Sequence, residues 1–162
     1  MLIYSIARRE CNIMNNDLET LAKFHGVHIL DFDFPSKIRG AYHDGVIGIN
    51  KDIQDAAERR CIIACEMGRH LVRKNKSIVL TEEQEQVAAF YWAVNYLMPL
   101  SAFIQAKRLG ICAADFACYL RVTPQFVKTG IELYKNIMGS RVFYHNYIID
   151  LENKKIEHIK VG

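Results

Sequence analysis

The hydrophobic pattern changes its period near Lys51, and this change constrains the fold more than any other feature of the sequence. Residues 27–35 (VHILDFDFP) alternate as a strand does, and residues 40–50 (GAYHDGVIGIN) hold an Asp44-Gly45 hairpin signal between two further alternating runs. Beyond Lys51, apolar and small residues recur every three or four positions, which is the spacing of a helix. The chain therefore combines a small sheet with helices.

Start and stop signals predict further helices on both sides of this boundary. Asp17 and Gly26 bracket a short helix, for which the pattern places Phe24 on the apolar side. Thr81 and Gln84 form a capping box that opens a second long helix, and Pro99 ends it. Its apolar stripe is predicted to lie in the core: Val87, Phe90, Tyr91, Val94 and Leu97.

The last third of the chain predicts three more helical pieces and a final hairpin. Within it, residues 111–138 resemble a helix-turn-helix, and residues 141–162 alternate and turn at Asn153-Lys154. The expected architecture is α+β, with a small, mostly antiparallel sheet packed on a helical bundle. We expect residues 1–162 to form one domain.

Composition favours a cytoplasmic protein without a membrane segment. At 162 residues and 51% hydrophobic, the chain is long enough to bury a core, and its net charge of +3 is spread over mixed charges. The five cysteines include no C-x-x-C pair, which fits reduced thiols. The first residues lack a signal-peptide pattern, and no stretch approaches the roughly 20 apolar residues that span a membrane.

Four motifs in the right order carry a family resemblance. They are GAYHDGVIGINKDI from Gly40, RRCIIACEMGRHL from Arg59, AAFYWAVNYLMP from Ala88 and DFACYLRVTPQFV from Asp115. Together they resemble the ImmA/IrrE family of zinc metallopeptidases, which prophages and mobile elements typically encode. The resemblance implies a zincin-like fold. It also implies a site in which two histidines on one helix and a carboxylate from the next helix hold zinc, while a glutamate takes a proton from the metal-bound water.

This sequence departs from that site at the histidines. Glu66 is kept, but Cys65 and Arg69 stand where the resemblance implies histidine, and a guanidinium has no lone pair to give a metal. His70 follows one position later and points about 100° away around the helix. We therefore expect no zinc and no catalysis from a vestigial site of Cys65, Glu66 and Arg69.

The third metal ligand is also in question. The register from the LMP motif lands near Gln86, with Glu85 beside it and Glu82 a turn earlier. Arg69 is expected to pair with Glu85 or Glu82 in place of a metal bridge. If a metal binds at all, the candidate ligands are Cys65, His70, Glu82 and Glu85.

The leading hypothesis is a pseudoenzyme that acts as a binding or regulatory module. Its partner would add as a strand beside the hairpin, along residues 44–50, and the resemblance implies a phage-type repressor or another regulator.

One alternative is an active zinc peptidase with a rearranged site. Another is a DNA-binding regulator that uses Gln125, Lys128, Thr129 and Glu132. Because one lysine faces a glutamate there, nucleic acid is disfavoured. Thiol catalysis at Cys65 lacks a base, and Cys61 is expected in the core.

Overall fold

The structure is a computed structural model that describes residues 17–75 and 79–159. The described residues form six helices and six strands, which confirms the α+β prediction. They divide into two compact units, one ending at Leu97 and the other beginning at Met98. That the whole chain is one domain stays a prediction.

The described residues of the first unit form three helices and a three-stranded sheet. Its elements are α1 (Leu18–Phe24), β1 (His28–Phe32), β2 (Gly40–His43), β3 (Val46–Asn50), α2 (Ala56–Lys74) and α3 (Glu82–Leu97). The second unit contains α4 (Leu100–Arg108), α5 (Phe116–Leu120), α6 (Pro124–Met138), β4 (Arg141–Tyr144), β5 (Tyr147–Asp150) and β6 (Lys155–His158).

The first sheet has β3 at its centre. The strand order is β1-β3-β2, with β1 parallel and β2 antiparallel to β3. The hairpin prediction is confirmed, because Asp44 and Gly45 both have positive φ, as a two-residue hairpin turn requires. The expectation that residues 44–50 form an open edge is wrong, since β3 pairs on both sides. The hairpin strand at the edge is β2.

The helix α2 begins at Ala56, some residues beyond the change of period near Lys51. The Asp55 side chain caps it and accepts hydrogen bonds from the N–H groups of Ala57 (2.7 Å) and Glu58 (3.2 Å). The preceding turn is held by Asn50, a buried residue whose side chain donates to main-chain carbonyls and accepts from the Asp52 N–H. Because Asn50 holds the residues after β3 in a turn, the helix starts only at Ala56.

The capping box of α3 is confirmed, but its predicted core stripe is only partly correct. The Gln84 N–H donates to Thr81 Oγ1 at 3.3 Å, and the Thr81 N–H donates to Gln84 Oε1 at 3.0 Å. Tyr91, Val94 and Leu97 are buried as predicted, whereas Val87 is 55% exposed and Phe90 is half-buried. Small residues of α3 are buried instead: Ala88, Ala89 and Ala93.

A close approach of α2 and α3 explains this choice of small residues. A Cβ added at Gly68 would lie only 2.3 Å from the main-chain oxygen of Ala89. No side chain fits between the two backbones there, so glycine on α2 and alanine on α3 are what the contact allows. The two helices are in more extensive contact with each other than any other pair of elements.

Phe24 lies outside the core that the sequence predicts for it. Phe24 in α1 is 83% exposed, although Leu18, Leu21 and Ala22 of the same helix are buried. The residue lies at the last turn of a seven-residue helix, where a shift of one position turns a side chain to the solvent. Cys61 is buried, as expected.

The second unit ends in a three-stranded antiparallel sheet rather than a hairpin. The order is β4-β5-β6. The sequence pattern indicates the turn that contains Lys154, but an earlier turn at His145-Asn146 adds a strand. His145 and Lys154 both have positive φ, which alternation of side chains does not signal. Inside this unit the Tyr134 hydroxyl donates to the Met98 carbonyl at 2.9 Å.

One helical stretch of the described residues, Glu82–Arg108, is long and apolar enough to cross a membrane by length and composition. Its most apolar window is 61% buried inside the fold, which is also typical of a core helix. The four described cysteines form no disulfide, and Cys11 lies outside the described residues.

We expect Gly68→Ala to lower the free energy of unfolding by about 3 kcal/mol, because the added methyl group forces the two backbones apart. Urea denaturation measures this. Gly26→Ala is the matched control: no atom lies within 4 Å of its Cβ, and only the positive φ of 72° opposes the change. That control should cost about 1–2 kcal/mol. Equal costs at both positions would contradict the close helix contact.

Candidate functional site

The uninterrupted helix α2 divides the predicted site residues between two directions. Glu66 and Arg69 lie one turn apart and face Glu85 on α3, whereas His70 contacts Tyr42 on β2. This is the angular separation that the sequence predicts for adjacent helical positions. The described part of α2 contains no bulge that would bring His70 to the Arg69 side.

Arg69 lies between two carboxylates. Its Nη1 is 3.2 Å from Glu66 Oε2 and its Nε is 3.6 Å from Glu85 Oε1. All three side chains are mostly buried, with 26% of Arg69, 10% of Glu66 and 16% of Glu85 exposed. The guanidinium thus lies within reach of both carboxylates in a poorly hydrated place.

A second arginine completes this network, which we call the arginine–carboxylate cluster: Glu66, Arg69, Arg73 and Glu85. Arg73 Nε lies 2.8 Å from Glu85 Oε1, and its guanidinium carbon is 5.8 Å from the centre of the Tyr42 ring. Of the two glutamates expected opposite Arg69, the structure brings only Glu85 to it. Glu82 and Gln86 are exposed.

Glu66 also contacts the outer edge of the sheet. Burial raises the pKa of Glu66, while Arg69 and a hydrogen bond from the Tyr42 main-chain N–H oppose that rise.

The hydrogen bonding of β2 alternates between its two sides. Asn50 N donates to the Arg39 carbonyl, so the main-chain groups of Arg39 and of every second residue after it point toward β3. The main-chain groups of Gly40 and Tyr42 therefore point away from β3, toward the edge of β2 that pairs with no described strand.

His70 is held away from the cluster by Tyr42. The Tyr42 hydroxyl lies 2.8 Å from His70 Nδ1 and accepts a hydrogen bond from the Gly45 N–H at 3.1 Å. Burial lowers the pKa of His70, so the ring is kept neutral. Sequence reasoning missed this role of Tyr42, although the tyrosine lies in the hairpin motif that carries the resemblance.

Cys65 does not have the properties of a nucleophile. Burial, followed by the charges of Cys61 and Glu66, raises the pKa of Cys65 to about 12. The thiol is therefore protonated at neutral pH, whereas attack on a substrate and metal binding both use the thiolate.

The donors of the site do not fit a zinc ion held in the way the resemblance implies. Arg69 fills the space between Glu66 and Glu85 with a group that has no lone pair, Cys65 is a buried thiol, and His70 is engaged by Tyr42. Among the residues that the structure describes, no three histidine, cysteine, aspartate or glutamate side chains are grouped to hold a metal.

The helix-turn-helix segment has its predicted helices, α5 and α6, with Thr123 capping α6 through a hydrogen bond from the Phe126 N–H. Three of the four side chains expected to face a groove bond within the helix, and Lys128 is the exception. Gln125 donates to Thr129 at 3.1 Å, and Glu132 pairs with Lys135 at 3.4 Å.

Comparison with known families identifies the fold. A family model described as the IrrE N-terminal-like domain, a peptidase family, matches residues 19–132, which is more than half of the chain. The chain belongs to this family. All four motifs of the resemblance lie inside the matched range, so the IrrE-type assignment made from them is confirmed. No curated protein and no solved structure matches the chain.

We expect Arg69→Met to lower the free energy of unfolding by about 2–4 kcal/mol near pH 8, because it leaves the buried Glu66 carboxylate without its cation, while Glu85 keeps Arg73. This loss of unfolding free energy should become smaller as the pH falls toward about 5. Without Arg69 the pKa of Glu66 rises further, and a carboxyl whose folded pKa exceeds its unfolded pKa loses stability as pH rises between the two values.

Urea denaturation at both pH values measures this change. Arg73→Met is the matched control. The Arg73 side chain is more exposed and, among the described residues, forms an ion pair with Glu85 alone, so the substitution should cost about 1 kcal/mol or less. A loss for Arg69→Met that is the same at both pH values would contradict the role of Arg69 in holding Glu66 ionised.

Proposed function

We propose that this IrrE-type chain is a pseudoenzyme, a binding or regulatory module that lacks the zinc chemistry of a metallopeptidase. The observation that carries the proposal is the position of Arg69. Its guanidinium lies between Glu66, which aligns with the general base of the family motif, and Glu85 on the next helix. A cation fixed to the chain therefore occupies the place where the family site implies a metal.

The state of Glu66 supports the loss of proteolysis. A general base must take a proton from a water of lowered pKa, and such a water requires a metal ion. Here Glu66 accepts from Arg69 and from the Tyr42 N–H instead. Both partners hold the carboxylate in a structural role, so we infer that it takes no part in hydrolysis.

The edge strand β2 supports a binding role. The outward main-chain groups of Gly40 and Tyr42 can pair with an extended segment of another protein, which is the usual way that a sheet edge recognises a peptide. We propose that the partner is a phage-type repressor or another cytoplasmic regulator, as the family resemblance implies. The partner would be held along β2 without being cut.

The two alternatives have less support. A rearranged zinc site needs Cys65, His70 and one of Glu82 or Glu85 together, but their side chains lie on different sides of α2 or in solvent. DNA binding through α6 needs free polar side chains, and Gln125, Thr129 and Glu132 bond within their own helix. Neither a membrane nor nucleic acid is part of the proposal.

Metal content tests the loss of the site. Elemental analysis of chain purified without chelator and then dialysed against zinc should show much less than one zinc per chain. The double variant Cys65→His, Arg69→His should bind about one zinc, because both imidazoles then share a helix face opposite Glu85. About one zinc in the wild-type chain would overturn the pseudoenzyme proposal and favour the rearranged site.

Partner binding tests the regulatory role. The chain is mixed with a purified phage-type repressor. Hydrogen exchange of the chain and the intact mass of the repressor are then both measured. At a free repressor concentration of about ten times the Kd, hydrogen exchange at the Gly40 and Tyr42 amides should slow by about tenfold. The amides of Ala41 and His43 face β3 and serve as internal controls. Fragments of the repressor, or unchanged exchange at Gly40 and Tyr42, would contradict the proposal.

A further inference from the structure

The C-terminal unit carries a groove that no part of the proposed function uses. It has a volume of about 950 Å³ and lies between α4, α6 and the turn that joins β5 to β6. All of its lining residues belong to this unit. Its volume falls in the range of pockets that bind ligands, roughly 300–1,000 Å³.

The floor of the groove is apolar. Phe103, Phe116 and Ile149 form its buried base, with their rings and aliphatic carbons almost fully covered. Above them, Val127 and Ile131 on α6 are half-buried and remain partly in contact with solvent. These two side chains are four residues apart and so share one face of the helix.

The rim of the groove is positively charged. Five lysines line it: Lys107, Lys128, Lys135, Lys154 and Lys155. The acidic side chains of the lining are already satisfied, because Glu132 and Glu152 pair with Lys135, and Asp150 accepts hydrogen bonds from Asn153. Among the described residues, Lys128 and Lys154 form no ion pair within 4 Å.

We infer that this groove binds an amphipathic helix whose flanks are acidic. An α-helix is about 10–12 Å wide and rises about 5.4 Å per turn, so a groove of this volume holds roughly two turns. Leucine-like residues on one face would cover Val127 and Ile131, and carboxylates beside that face would reach Lys128 and Lys154. This is recognition of a helix by a groove, with the charges selecting the partner.

Two other kinds of ligand fit the lining less well. Single-stranded nucleic acid would match the lysines, but it is held by exposed aromatic rings on which bases stack. Phe103 and Phe116 are 9% and 8% exposed and offer no such surface. A fatty acid would match the floor, but its single carboxylate could pair with only one of Lys128 and Lys154.

Fluorescence anisotropy with the full chain tests this inference. The probe is a fluorescein-labelled peptide of about 11 residues, with leucines spaced three and four apart and glutamates beside them. The double variant Lys128→Glu, Lys154→Glu should bind it about tenfold more weakly. The control Lys37→Glu, Lys51→Glu changes the net charge equally at exposed sites of the first unit, and its affinity should stay within about twofold.

Two further arms probe the shape and class of the ligand. In the protein, Ile131→Ser should weaken binding of the helical probe. In the peptide, the same composition with its leucines scattered around the helix should lower the affinity for the unchanged chain. Equal binding of the scattered peptide, equal losses in the two charge-reversal variants, or tighter binding of a thymidine oligonucleotide would each overturn the inference. Because the groove lies in the second unit, these outcomes are independent of the metal and edge-strand tests.

Discussion

The site of the first unit depends on one close contact between two helices. At Gly68 the backbone of α2 comes so near to Ala89 of α3 that a single methyl group would not fit. Glu66 and Arg69 lie on either side of Gly68, and Glu85 lies one turn before Ala89. The contact therefore sets the distance across which Arg69 reaches Glu85 and shields that ion pair from water. A larger residue at position 68 would separate the charges, and in a higher dielectric their attraction would fall.

The arginine–carboxylate cluster balances its charge in the way that a metal site does, but its chemistry differs. Arg69 and Arg73 together carry two positive charges, as one Zn²⁺ does, and they face the two negative charges of Glu66 and Glu85. A guanidinium donates hydrogen bonds and stays protonated, so it can orient carboxylates. It cannot accept an electron pair from water or from a carbonyl oxygen. In the proposed pseudoenzyme, the cluster therefore supports the fold electrostatically without Lewis acidity.

The local elements could be predicted from sequence because their signals are local. Helical period, the Asp44-Gly45 turn and the Thr81 capping box each depend on neighbouring residues, and the structure contains all three. The order of strands in the sheet depends on pairing between distant segments, so the central place of β3 could not be seen from alternation. That alanines of α3 rather than Val87 face the core also depends on distant segments, because it follows from how closely α2 approaches α3. In the site, the inability of Arg69 to bind a metal could be predicted from the residue type alone. The hydrogen bond between Tyr42 and His70 could not, because it joins residues that are distant in the sequence.

The contact between Glu66 and β2 couples the cluster to the proposed binding edge. A partner strand on β2 has to take the Tyr42 N–H from the Glu66 carboxylate. The released carboxylate is buried, and a buried charge without a partner is costly. Arg69 already donates to the same carboxylate, so it can keep Glu66 paired while the N–H changes partner. A neutral residue at position 69 would leave Glu66 to compete with the partner strand for that N–H. In the proposed complex, Arg69 therefore frees the edge for binding, in addition to replacing the charge of a metal.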